Sequence, residues 1–198
     1  MAVTFLPGLE LARHFYAEAV RPILDQVAPG LPHSAARLGA GSEVLGLDTV
    51  RSTDHDWGPR LELFLHPDDV REGGAALTGE LARRLPKRFR GHPTNFTNYT
   101  ETVLGVAEPT DGPVRHGVTI TDPRSWFTGR LGFDPAVGPE LLDWLATPTQ
   151  RLRETVSGEA FHDARYRHRA GGRAGGADRG TGCRARRRGL GRPGGVAL

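Results

Sequence analysis

The sequence predicts strands mixed with helices, an α+β or α/β domain over residues 1–163, followed by an Arg/Gly-rich tail at 164–198. Three observations predict it. Apolar residues recur at helical spacing near the N-terminus and again across residues 67–85. Short runs at Ser34–Leu38, Asp54–Leu65 and His116–Thr121 read as strands between Gly/Pro breaks. Beyond about Ala164 there is almost nothing left to bury.

Taken in order, residues 8–27 place Leu11, Phe15, Ala19, Val20, Ile23, Leu24 and Val27 on one helical face, with Pro22 expected to kink or split the helix. Pro29-Gly30 and Pro32 break the chain before Ser34–Leu38, a short buried strand entering the turn Gly39-Ala40-Gly41-Ser42. Glu43–Leu47 is expected as a brief helix. Asp54–Leu65 reads as the second strand, with Leu61, Leu63 and Leu65 alternating with Arg60, Glu62 and Phe64, and with Gly58-Pro59 marking a bulge or break. Pro67-Asp68-Asp69 starts a helix that stops at Pro86. Residues 87–100 have little periodicity and read as a loop. Asp122-Pro123 ends the third strand, because the residue before proline disfavours helix and proline cannot continue a ladder. Short helices follow at Ser125–Leu131, Pro139–Leu145 and Pro148–Ser157, the last with Thr147 as N-cap and Pro148 in first position.

Composition excludes several classes. No run of eighteen apolar residues occurs, and the N-terminus lacks a basic segment followed by an apolar one. Neither a membrane span nor a signal peptide is expected, and a cytoplasmic protein is the default reading. The lone Cys183 excludes an internal disulfide and a cysteine metal site. The net charge of +3 hides an uneven distribution: residues 165–198 hold ten arginines against one acid, Asp178, so the body is acidic. Nucleic-acid contact is therefore expected only through the tail. Twenty-five arginines against the single Lys87 point to GC-rich coding, and the tail is expected to be disordered and a frameshift product.

The chemistry-bearing residues lie between Leu38 and Leu65. Glycines permit close backbone approach to a phosphate, and Ser42 adds an amide and a hydroxyl. In an extended chain Asp54 and Asp56 project from one face, close enough to share a divalent cation. Asp-x-Asp suits Mg²⁺, which takes oxygen ligands from one or two carboxylates plus substrate phosphates. His66, His92 and His116 are expected to be structural or solvated rather than ligands, and Trp57, Trp126 and Phe127 to be core. Asn95-Phe96-Thr97 and Asn98-Tyr99-Thr100 are expected as polar loop.

Gly41-Ser42-x-x-x-Gly46 followed by Ser52-Thr53-Asp54-His55-Asp56-Trp57 resembles the signature of the polymerase-beta-like nucleotidyltransferase superfamily. With Gly58-Pro59 it looks closest to a nucleotidyltransferase-like family of unknown substrate, over residues 5–163. The resemblance implies an α+β fold with a mixed sheet flanked by helices. It implies transfer of NMP from an NTP, ATP expected, to a hydroxyl of a small molecule or protein. Asp54 and Asp56 would hold Mg²⁺ in a two-metal site, and Gly41 and Ser42 would hold the triphosphate. A third carboxylate is normally added from a neighbouring strand, for which Asp122 and Glu62 are the candidates. His55 departs from the apolar residue common between the aspartates, and the tail stands where a helical C-terminal part is expected. The alternatives are a non-catalytic nucleotide-binding or interaction module and a nucleic-acid binder working through the tail.

Overall fold

The computed structural model describes residues 5–53, 57–97 and 108–163, with the backbone of Asp54. The expectations for His55, Asp56, Asn98-Tyr99-Thr100 and the tail at 164–198 lie outside the described residues.

The N-terminal amphipathic stretch forms α1 (Gly8–Phe15), a π-helical stretch (Tyr16–Val20) and α2 (Arg21–Val27). The expected break at Pro22 thus takes the form of a π-helical stretch ahead of the proline, which lacks an N–H and crowds the carbonyl four residues back. Strand β1 (Ser34–Arg37) follows, then a 3₁₀ turn (Val50–Asp54), β2 (Arg60–Phe64), α3 (Pro67–Arg84), β3 (Arg88–Phe89) and β4 (His92–Pro93). The chain continues through β5 (Gly117–Thr121), α4 (Pro123–Leu131), a 3₁₀ turn (Pro135–Val137), α5 (Leu141–Ala146), α6 (Thr149–Val156) and β6 (Glu159–Asp163).

Four strands form one mixed sheet in the order β5-β2-β1-β6. β1 lies antiparallel to β2, pairing Ala36 with Glu62, and antiparallel to β6; β2 and β5 run parallel, pairing Arg60 with Gly117 and Phe64 with Thr121. The sheet places unlike residues on its two faces, because side chains alternate along a strand. Ala35, Leu61 and Leu63 join Leu11, Phe15, Val20, Leu24, Leu77 and Leu81 in the main core. Each buried leucine there contributes roughly 1.5–3 kcal/mol. The opposite face carries a smaller cluster of Ala36, Phe64 and Trp126, with Leu38 and Phe127 packed against it.

Several expectations are corrected. Glu43–Leu47 is a series of turns, not a helix, closed by bonds such as Leu47 N–H to Ser42 O at 2.8 Å. The second strand begins at Arg60 rather than Asp54, since buried Pro59 has no N–H to offer a ladder; Asp54 instead closes a 3₁₀ turn. The segment read as loop from residue 87 contains the β3–β4 hairpin, turned by Arg90 and Gly91, both with positive φ. α6 starts at Thr149 after Pro148, while the Thr147 hydroxyl donates to Asp143 O. β6 was not expected at all. No described helix is long and apolar enough to cross a membrane.

Candidate functional site

The connection between β1 and β2 is built around buried charge. Arg37 closes β1, and its side chain is almost fully buried. Its guanidinium donates through Nε to Glu43 Oε1 (2.9 Å) and through Nη1 to Glu62 Oε1 (3.0 Å). It also donates to the carbonyls of Leu38 and Ala40, which binds the glycine turn to the strand end. Arg60, at the start of β2, donates to the same Glu43 Oε1 through Nε (2.9 Å) and Nη2 (2.6 Å). Glu62 Oε2 accepts the Leu38 N–H at 2.9 Å. Glu43 Oε2 is buried and has no hydrogen-bond partner among the described residues.

These groups titrate away from their ordinary values. Burial would raise the Glu43 carboxyl, but Arg37 and Arg60 beside it overcome that and hold it below the usual carboxylate value of 4.5. Burial opposes the Arg37 charge, yet the Glu62 and Glu43 carboxylates leave it raised. Arg60 ends lowered, through burial and the nearby Arg37 cation. A cluster of this kind repays its desolvation only when every charge is paired.

The glycines are required by geometry. Gly39 has φ +80°, and a side chain there would meet the Arg130 guanidinium; Gly41 has φ +143°, and a side chain there would meet Glu43 and Arg60. The Gly39 N–H donates to Glu154 O of α6 at 3.1 Å, so α6 props the turn.

Further along the connection, Asp48 Oδ2 accepts the Gly8 N–H at the start of α1 (2.6 Å) and the Trp57 Nε1–H (3.2 Å). Trp57 is buried, stacks with Phe5, and meets His92 edge-on at 4.9 Å between ring centroids. The residue following the Asp54-x-Asp56 pair is therefore firmly anchored. Trp57 and Trp126 are core residues, as expected.

Gly41, Ser42 and Asp54 all belong to this one connection, between neighbouring antiparallel strands. Asp122 does not join them. It follows β5 at the sheet end opposite to the glycine turn, and its Oδ1 accepts the Ser125 N–H at 2.9 Å as the N-cap of α4. Burial tends to raise its pKa, but that bond and neighbouring amides hold it below its ordinary value. Glu62 is near the turn but committed to Arg37 and the Leu38 amide. Among the described residues no group of three or more His, Cys, Asp or Glu could hold a metal ion. His116 is buried and engaged: Nε2 lies 3.1 Å from Thr78 O, and Nδ1 accepts the Val118 N–H.

Sequence reasoning missed the Arg37–Glu43–Arg60–Glu62 cluster. One signal was present, an arginine ending a short strand otherwise made of small and apolar residues. The chain matches no family model, and no curated protein or solved structure matches it significantly. Its fold and site describe a mixed α/β domain with a charge-braced glycine turn.

Proposed function

We propose that the domain is a Mg²⁺-dependent nucleotidyltransferase, moving NMP from an NTP, ATP by preference, to a hydroxyl of a small molecule or protein. The observation that carries this reading is the braced turn, Gly39-Ala40-Gly41-Ser42, held at the end of β1 in the same connection as Asp54. The Cα face of Gly41 is covered by Glu43 and Arg60, and it is the backbone amides of Gly41 and Ser42 with the Ser42 hydroxyl that would be offered to a phosphate. The hard oxygen donors of Asp54 and Asp56 suit Mg²⁺, which, held also by the substrate phosphates, would neutralise charge on the attacking and leaving oxygens. In the reaction the acceptor hydroxyl oxygen would bond to the α-phosphorus as the bond to pyrophosphate breaks, its proton passing to solvent water. Glu43 and Glu62 serve this chemistry as braces for the turn, being occupied by arginines.

A second reading is a non-catalytic nucleotide-binding module. It is favoured by one observation: neither Asp122 nor Glu62 brings a free third carboxylate to the turn. Calorimetric titration of the full chain with ATP and GTP, with and without Mg²⁺, tests both readings. Metal-dependent binding lost in Asp54→Asn/Asp56→Asn supports the site, and label transfer from ATP to an acceptor would separate enzyme from binder. Absence of binding by the folded chain would overturn both.

A further inference from the structure

We propose that Arg130, in the last turn of α4, is a phosphate-contacting side chain of the glycine turn, a role that rests on the phosphate reading above. Three observations point to it. First, the guanidinium lies directly against Gly39, where an added Cβ would meet it. Second, it is half-buried over the Trp126 ring, 5.6 Å from the centroid, yet makes no ion pair or hydrogen bond among the described residues. Stacking on an aromatic face fixes the plane of a guanidinium while leaving its N–H donors free. Third, the charges around the turn do not balance. Arg37 and Arg60 take up Glu43 Oε1, Arg37 also takes Glu62 Oε1, and no ion pair joins Arg130 to either carboxylate among the described residues. Burial works against the Arg130 charge and leaves its pKa lowered, with Glu62 and Glu154 favouring the charge and Arg37 and Arg151 opposing it.

The charge has a structural role as well, since Arg130 lies in the last turn of α4, where the helix dipole favours a cation. The helix end is already closed by Gly132, in the left-handed region, whose N–H donates to Thr128 O. Stacked on Trp126, the guanidinium still has N–H donors with no hydrogen-bond partner among the described residues, and an anion would satisfy them. The fork of N–H donors beside a glycine turn suits the oxygens of a polyphosphate chain. Trp126, Gly39 and α6 then act as positioning residues for that contact.

The test is metal-free titration of the chain, residues 1–198, with inorganic tripolyphosphate, followed by calorimetry. Arg130→Gln should weaken the binding about tenfold, the scale of one charge-assisted contact. Arg130→Lys, which keeps the charge and loses the fork, should fall between. Arg124→Gln removes an exposed arginine of the same helix and should bind like the parent chain, which controls for net charge and for any uptake by the arginine-rich tail. Equal binding by Arg130→Gln and the parent, or equal loss in Arg124→Gln, would overturn the assignment, as would no binding by the parent. Mg²⁺-ATP titrations of the same proteins separate the two claims. ATP bound equally by parent and Arg130→Gln would keep the nucleotide reading and sink the role of Arg130. Tripolyphosphate binding that depends on Arg130, with no ATP binding, would do the reverse.

Discussion

The two ends of the central strand pair are built on different principles. Where β2 and β5 finish, each runs directly into a helix through a residue-proline step, His66-Pro67 into α3 and Asp122-Pro123 into α4. Both helix starts are electrostatically satisfied: Asp122 caps one, and Asp68 and Asp69 sit in the first turn of the other. At the opposite end, where β1 finishes and β2 begins, the chain takes a long irregular path held by buried ion pairs and positive-φ glycines. Open parallel sheets often bind ligands beyond their strand C-termini. Here that end has its helix dipoles answered by its own carboxylates, whereas at the turn end Arg130, stacked on Trp126, makes no ion pair among the described residues.

The largest test of this contrast removes Glu43. Glu43→Ala leaves Arg37 and Arg60 buried without their shared carboxylate and should cost about 3–5 kcal/mol in urea unfolding. The same group gives the turn end a pH signature. Because its folded pKa is held below 4.5, its stabilisation is complete above that pH and is lost as pH falls through the lowered value. The parent chain should therefore lose stability on acidification in a way that the Glu43→Ala chain, already lacking the brace, does not. Next comes Gly41→Ala, which forces a side chain at φ +143° against Glu43 and Arg60. We expect a loss of about 1–3 kcal/mol together with weakened ATP binding. At the other end, Asp122→Ala removes a helix cap and should cost about 1 kcal/mol while leaving ATP binding unchanged. A binding defect in Asp122→Ala would erase the distinction between the ends. The smallest effect is expected for exposed Leu142→Gln, within about 0.5 kcal/mol.

What could be read from the sequence followed from how local each feature is. The helices of residues 8–27 and 67–84 were legible because periodicity repeats over many turns, and β2 because three leucines alternate with Arg60, Glu62 and Phe64. β6 was not, since Glu159–Asp163 has one large apolar residue and owes its strand form to pairing with β1. The β3–β4 hairpin was hidden because its turn uses Arg90-Gly91, without the usual Asn or Asp in front of the glycine. Leu141, Leu142 and Leu145 share a helix as expected, but all three are exposed. In the site, the glycine turn announced itself through composition. The Arg37–Glu43–Arg60–Glu62 cluster did not, because its members are spread over two strands and a turn and meet only through antiparallel pairing.

Hydrogen exchange of the full chain with and without Mg²⁺-ATP tests the central claim most directly. The account predicts slowed exchange at amides of residues 39–47 and along the α4 end carrying Arg130, with residues 66–70 and 122–125 unchanged. Protection confined to those capped helix starts, or none anywhere at saturating nucleotide, would contradict it.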